Sequence, residues 1–516
     1  MKGLLAPSLL VLSALAQNAP HIRDWKPPAG ESPARPRGAC GDLRALTGYE
    51  LTIITAVSHA ATAEAPEFCR VTGQVLPEVR FEVSLPSAWN RRLYMFGNGG
   101  FAGENLEAPN RIGNRNRALQ HGFAVAQTNT GHDAVEEPNG AFARNPQKLA
   151  DFAFRSLHVT AETAKKLAAA HYGSAPARSY FMGCSTGGRQ ALILAQRFPQ
   201  DFDGIVAGAP ALNGTQVRLR SVATAKALAA GPIPTAKLKL LSDAVYRYCD
   251  PKDGATDGLI EDPRRCDFKP REHLQVCAGA DGAGCFTEAQ MRTLEAIYGE
   301  VVSQGKRLAP GWPVGAEIGA GPEGRSGWDG WILRDGGQTS TSATLAQGFF
   351  RNMPTALRDP NYQLTQFDFD RDPPKLDAVG QMMNATDPDL TAFRARGGKL
   401  FMYFGWADQA LNPLMGVEYY EEVLRRMGAG TRDFFRLYML PGVFHCAGGV
   451  GCASFDPLAA VVRWVEQGAA PEGLVAARVE AGKTVRTRPL CPYPQVARYK
   501  GSGSLDEAAN FACVAQ

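Results

Sequence analysis

Three residues able to carry out nucleophilic chemistry stand at separate places in the chain. They are a serine within Gly183-Cys184-Ser185-Thr186-Gly187, an aspartate within Gly405-Trp406-Ala407-Asp408-Gln409, and a histidine in His445-Cys446. A serine hydroxyl is a weak nucleophile until an imidazole takes its proton and a carboxylate holds that imidazole in the right tautomer. Gly-x-Ser-x-Gly between an apolar strand and a helix is the sharp turn that lifts such a hydroxyl into the open. The order serine, acid, histidine is the one used on α/β-hydrolase sheets. Of the eight histidines, only His445 follows the last strand-like segment, where the base belongs. Asp408 directly follows the strand-like segment 399–404, whereas the second candidate acid, Asp433, precedes its strand and would lie at the wrong end of a sheet. The chemistry implied is acyl transfer to water, with Ser185 as nucleophile, His445 as base and Asp408 as the group that orients it.

A cysteine adjoins each reacting partner. A disulfide holds its two Cα atoms roughly 4.4–6.8 Å apart, so a Cys184–Cys446 bridge would bring Ser185 and His445 side by side. The tetrahedral oxyanion of acyl transfer needs two fixed N–H donors. One is expected to be the amide of Thr186, the residue after the nucleophile. The other is expected from the glycine-rich loop Gly97-Asn98-Gly99-Gly100-Phe101, with Gly100 as the donor.

The elements that must position these groups follow from periodicity. Residues 80–85 alternate with period two, and 92–96, 123–127, 179–182 and 204–208 read as short strands. Residues 149–170 and 188–195 carry helical spacing. This βαβ rhythm predicts an α/β-hydrolase fold, a mostly parallel sheet with helices on both faces. From Asn213 to Arg396 the rhythm breaks into a stretch rich in Gly, Pro, Asp and Trp. It resumes with strands at 399–404 and 434–440 and a helix at 457–467. Such an insert reads as a large lid domain, 213–396, set into a catalytic domain made of 17–212 and 397–516. Ligands in such sheets bind at the carboxyl ends of the strands, here beneath the lid.

The first residues, Met1-Lys2, an apolar run to Leu15 and an Ala14-Leu15-Ala16 site, describe a secretory signal peptide over 1–16. The run is too short to span a bilayer. A secreted or periplasmic location follows, and with it a disulfide reading of the 11 cysteines. Their spacing suggests Cys40–Cys69, Cys249–Cys266, Cys277–Cys285 and Cys491–Cys513, which leaves Cys452 over. The formal charge of +4 is small for 516 residues, and no Lys/Arg-rich run appears, so neither nucleic acid nor a membrane is an expected partner. Nothing in the chain speaks to its oligomeric state.

The stretch Gly183-Cys184-Ser185-Thr186-Gly187-Gly188-Arg189-Gln190, the Asp408 loop and His445-Cys446 together resemble the Cys-Ser…Asp…His-Cys pattern of the tannase and feruloyl esterase family, which also includes mono(2-hydroxyethyl) terephthalate hydrolase. The resemblance covers nearly the whole mature chain. It implies a lid carrying structural Ca2+, held in Cys249-Asp250-Pro251-Lys252-Asp253-Gly254-Ala255-Thr256-Asp257-Gly258-Leu259 by the carboxylates of Asp250, Asp253 and Asp257 and the carbonyls of Ala255 and Leu259. Three carboxylates among glycine turns suit a hard cation with oxygen ligands, although the spacing is not that of an EF-hand.

The resemblance also implies a small aromatic ester as substrate: a hydroxycinnamic or gallic ester, with a terephthalate monoester as the alternative. Thr186 stands where the terephthalate enzyme has an acidic residue, which favours the first. Trp328, Trp331, Phe349 and Phe350 are candidates for an aryl slot, and Arg334 or Arg351 for a carboxylate contact. Readings from other classes are a serine peptidase or acyltransferase with the same triad, and a non-catalytic calcium-dependent binding module.

Overall fold

The computed structural model describes residues 20–28, 30–317, 327–336 and 338–516, so the signal peptide expected at 1–16 lies outside the described residues. Seven strands form the first part of the main sheet: β1 (Leu51–His59), β2 (Phe68–Val75), β3 (Val79–Pro86), β4 (Arg92–Phe96), β5 (Ala124–Thr128), β6 (Arg178–Cys184) and β7 (Gly204–Gly208). A separate hairpin, β8 (Val301–Ser303) and β9 (Lys306–Ala309), precedes the last two sheet strands, β10 (Lys399–Gly405) and β11 (Phe435–Leu440). The nine strands lie in the order β1-β2-β3-β5-β4-β6-β7-β10-β11. From β5 to β11 all neighbours are parallel, while β1, β2, β3 and β5 pair antiparallel.

The composition of the strands accounts for this layering. Every residue of β4, β5 and β7 is buried, as parallel strands covered on both faces must be. Successive side chains alternate between two cores. On one face Leu93, Met95, Phe181, Ile205 and Met402 meet Leu157, Ala161, Leu192 and Val423 from the helices Ser156–Tyr172, Thr186–Arg197 and Leu414–Met427. On the other, Tyr94, Tyr180, Val206, Phe401 and Tyr403 meet Leu458 and Val461 of the helix Pro457–Gln467. The edge strand β1 faces solvent, with Ile54 and Val57 exposed.

The structure departs from the sequence expectation in its added strands and in one helix. The antiparallel pair β1–β2 is additional to the expected strands, as are the hairpin β8–β9 and the C-terminal pairs β12 (Leu474–Glu480) with β13 (Lys483–Leu490) and β14 (Val496–Tyr499) with β15 (Phe511–Val514). The helix expected over 149–170 is broken by a π-helical turn at Asp151–Arg155 between Pro146–Ala150 and Ser156–Tyr172. Such turns insert a residue that helical periodicity alone does not reveal.

After Gly208 the chain leaves the sheet and returns at Lys399. The intervening helices Gly214–Ala230, Leu238–Cys249, Glu288–Tyr298 and Thr341–Asn352 bury two apolar clusters. One gathers Leu241, Val245, Leu294, Ile297 and Trp328 onto Ala407 and Phe444. The other gathers Val222, Phe349, Phe350 and Phe367 onto Phe142 and Phe152. The inserted segment is therefore seated on the very loops that carry Asp408 and His445. Disulfides join Cys40–Cys69, Cys184–Cys446, Cys249–Cys266, Cys277–Cys285 and Cys491–Cys513, and Cys452 is free and buried. Among the described residues no helix is long and apolar enough to cross a membrane.

Candidate active site

Ser185 occupies the turn between β6 and the helix Thr186–Arg197, with φ 65° and ψ −121°. A left-handed φ is unusual for a non-glycine residue and costs free energy that the surroundings must offset. Here the Ser185 amide donates to the Gly208 carbonyl at 3.0 Å, and its own carbonyl accepts from Arg189 and Ala211 at 3.0 and 3.1 Å. The flanking glycines are demanded by close packing: a Cβ on Gly183 would stand 2.5 Å from the Gly187 carbonyl oxygen. The turn can close only without a side chain at Gly183, and a Cβ on Gly187 would press to 3.1 Å on the Asn98 carbonyl oxygen.

Asp408 and His445 come from the loops after β10 and β11. Parallel pairing sets Gly405 opposite Leu440, so both loops leave the same edge of the sheet as Ser185. The loops touch through backbone: Ala407 N–H donates to the Val443 carbonyl at 3.1 Å, and a Cβ on Gly405 would collide with that carbonyl at 2.1 Å. The fully buried Asp408 uses Oδ1 to accept from the amides of Ala410 (2.9 Å) and Leu411 (2.8 Å). Its Oδ2 faces Nδ1 of His445 at 2.8 Å. That contact requires the proton on Nδ1, which leaves Nε2 as the unprotonated nitrogen, able to accept one. The Gln409 side chain accepts from the His445 amide at 3.1 Å, and the Trp331 ring stands edge-on to the imidazole with centroids 5.9 Å apart. Asp433 lies before β11, at the opposite end, where its carbonyl accepts from Lys399.

The Cys184–Cys446 bridge, Cα–Cα 5.9 Å, ties the serine turn to the histidine loop. Ser185 and His445 both line one cavity of about 970 Å³. Gly100 and Thr186 line it as well, and the Thr186 hydroxyl donates to the Gly100 carbonyl. The glycine-rich loop is held from behind. Asn98 N–H donates to Gln190 at 3.0 Å, and Glu104 accepts from the Asn98 side chain at 2.8 Å and from Arg111 at 2.5 Å. His132 Nε2 donates to the Phe101 carbonyl at 2.9 Å. The Gly100 amide has no hydrogen-bond partner among the described residues, as a donor kept for an incoming oxyanion would not.

Of the expected aromatic slot, Trp331 and Phe349 reach the cavity. Trp328 and Phe350 do not: each is fully buried in an apolar cluster of the inserted segment. Arg334 lines the cavity, whereas Arg351 turns away to the Tyr362 carbonyl at 3.1 Å. Sequence reasoning missed Phe101, Leu345 and Arg218, all in the cavity wall. Phe101 had a signal, since it directly follows Gly100. Arg218 and Leu345 had none.

The chain matches the family profile "Tannase and feruloyl esterase" over residues 61–514. It belongs to the tannase and feruloyl esterase family. It is 38% identical to an uncharacterized esterase of Xanthomonas campestris pv. campestris, over 92% of this chain and 91% of that one. It is 35% identical to mono(2-hydroxyethyl) terephthalate hydrolase of Piscinibacter sakaiensis, over 89% of this chain and 87% of that protein. Among solved structures it resembles feruloyl esterase B from Aspergillus oryzae, with TM-score 0.79 and 26% identity over 92% of this chain and 100% of that one. The fold is accordingly an α/β-hydrolase sheet with an inserted domain, and the chain is a carboxylic ester hydrolase of this family.

The loop that the family resemblance marked for calcium lies between the helix Leu238–Cys249 and Glu261. Asp250 accepts from the amides of Asp257 and Gly258 at 3.1 and 2.9 Å, and Asp253 from those of Ala255 and Glu261 at 3.1 and 3.0 Å. Asp257 accepts from Leu259 N–H at 3.1 Å and pairs with Arg488 of the strand β13 (Lys483–Leu490). Burial lifts the Asp250 carboxyl above the usual carboxylate range and Asp253 to about 6, with the neighbouring acids adding to both. Glu261, raised to about 8 by burial, joins them. Among the described residues Arg488 is the one ion-pair partner of these acids, with Arg486 acting on Asp250 from further off, so the donor chemistry fits a divalent cation. Among the described residues, however, no three acidic, His or Cys side chains converge closely enough to hold an ion. The carboxylates bond to the loop's own amides instead.

Proposed function

We propose that this protein is an exported serine esterase hydrolysing esters of aromatic carboxylic acids, hydroxycinnamic or gallic in the first instance, through Ser185, His445 and Asp408. The observation that carries this reading is the Asp408–His445 hydrogen bond, in a cavity that Ser185 shares and beside a disulfide between the residues adjoining serine and histidine. His445 Nε2 takes the Ser185 proton as the oxygen attacks the ester carbonyl. The oxyanion forms against the amides of Thr186 and Gly100. Collapse expels the alcohol with a proton from His445, leaving an acyl-enzyme, and water attacks it by the same route in reverse. Asp408 holds the tautomer and offsets the imidazolium charge. Either oxyanion donor is worth about 2.7–4 kcal/mol of transition-state stabilisation.

Trp331 and Phe349 supply flat faces for an aromatic acyl group. Thr186, neutral where the terephthalate enzyme has an acidic residue, supports the preference for ferulate and gallate. The Piscinibacter relative's name supports the alternative, a terephthalate monoester. Initial rates on methyl ferulate, methyl gallate and mono(2-hydroxyethyl) terephthalate at matched enzyme separate these activities. Covalent labelling by a fluorophosphonate, lost in Ser185→Ala, tests the nucleophile, and labelling that persists in that variant would refute the assignment.

The buried carboxylates of the Asp250–Leu259 loop support a structural Ca2+ held by Asp250, Asp253 and Asp257 with the carbonyls of Ala255 and Leu259. The ion would offset their charge and fix the loop, away from the reacting atoms. The disulfides and the leader-like start of the chain support export.

A further inference from the structure

Arg218 stands on the second turn of the helix Gly214–Ala230, in the wall of the Ser185 cavity. Its guanidinium lies over the Phe101 ring at 5.5 Å and the Phe349 ring at 5.9 Å, between the residue after Gly100 and the inserted segment. Neighbouring arginines have carbonyl partners. Arg189 donates to the carbonyls of Phe152, Ala153 and Met383, and Arg220 to those of Ala296 and Gly299. Arg218 has neither a carbonyl nor a carboxylate partner among the described residues. Burial pushes its guanidinium down to about 10, with no acidic neighbour acting in the other direction. The cavity's other charged residues do not change this. Asp329 lines it without reaching ion-pair distance of either Arg218 or Arg334, Arg334 bonds only to Gln338 at 3.4 Å among the described residues, and Arg189 is held by its carbonyls; Asp408, behind the wall, is committed to His445.

A half-buried cation held between two rings and left without an anion is open to one that a ligand brings into the cavity. Its planar fork suits a carboxylate, received through two parallel hydrogen bonds. We propose that Arg218 is a specificity residue that receives a free carboxylate on the substrate, so that the preferred ester is a monoanion. This rests on the esterase reading and narrows it. It also places the carboxylate contact on a residue other than Arg334 or Arg351. The carboxylate can stand on the aromatic acyl group or on the alcohol, and the two sources share the same recognition.

The test compares kcat/KM for three pairs of substrates in wild type, Arg218→Met, Arg218→Lys and Arg334→Met. Monomethyl terephthalate against methyl 4-carbamoylbenzoate places the charge on the acyl ring. A caffeoyl ester of quinic acid against its methyl-capped form places it on the alcohol. Methyl ferulate against methyl cinnamate reports on neutral esters. Wild type is expected to prefer the anion about tenfold or more in one of the first two pairs, and the pair identifies the source. Arg218→Met is expected to erase that ratio, mainly through KM, with Arg218→Lys keeping part of it and Arg334→Met most of it. A wild-type ratio near one in both pairs overturns the proposal whether or not the variants fold. So does equal loss on anionic and neutral esters in Arg218→Met, or collapse of the ratio in Arg334→Met alone. Failure to hydrolyse any ester, methyl ferulate included, would instead sink the esterase reading itself.

Discussion

Asp408 divides its two oxygens between backbone amides and one imidazole. The amides of Ala410 and Leu411 fix Oδ1, so Oδ2 meets His445 in one orientation. An amide in its place would present either a donor or a mis-set acceptor to Nδ1 and stabilise the wrong tautomer. Asp408→Asn should therefore lower kcat about 10⁴-fold with little change in melting temperature, measured on methyl ferulate. A loss under tenfold would point to another acid. A second residue-scale prediction concerns His132, which is 2% exposed and steadies the glycine-rich loop through the Phe101 carbonyl. Burial holds its imidazole below the ordinary histidine value, so the unfolded chain takes up a proton more readily than the folded one. Its neutral form stabilises the fold above the ordinary value, and that contribution declines as pH falls below it, by at most about 1.4 kcal/mol per pH unit. The acid-side fall of the melting temperature between pH 7 and 5 should be shallower in His132→Gln than in wild type. Equal slopes would remove His132 from the account. The candidate triad was legible in the sequence because each residue sits beside a local signature. The hydrogen bonds that hold it reach across the chain, and no local pattern records them.

At the scale of elements, the site depends on where strands end. The chain visits β6, then β10, then β11, and parallel pairing brings their carboxyl ends to one edge with β7 between them. The Cys184–Cys446 bridge adds a covalent tie between two of those loops. Removing it with Cys184→Ala and Cys446→Ala should cost about 2–4 kcal/mol of stability and most of the activity, while circular dichroism remains that of a folded protein. Full activity in the double variant would mean that packing alone aligns Ser185 with His445. Periodicity revealed the parallel strands because both their faces are buried. The β1–β2 pair escaped it because an edge strand such as β1 carries a mixed pattern of exposed and buried residues, and the break at Asp151–Arg155 because a π turn leaves helical spacing nearly intact.

For the whole molecule, stability and activity are linked through the inserted segment, whose cluster around Trp328 and Ile297 rests on Phe444 and Ala407. The Asp250–Leu259 loop lies in that segment, and Arg488 of β13 reaches it from the far end of the chain. If Ca2+ occupies the loop, EDTA should lower the melting temperature by several degrees, added Ca2+ should restore it, and Asp253→Asn should abolish the difference. No response to EDTA in the wild type would remove the ion from the account. The sheet's βαβ rhythm, the serine turn with its candidate acid and base, and the cysteine pairs could be read from the chain, because each is written in neighbouring residues or in chain order. Tertiary structure alone decided which ring and which arginine face the cavity. Trp328 and Phe350 are aromatic like Trp331 and Phe349, yet they fill the insert's own core. Arg218 resembles Arg220 and Arg351, yet it alone of the three stands unpaired beside the serine. Burial and orientation depend on contacts between segments far apart in the chain, and residue type carries no record of them.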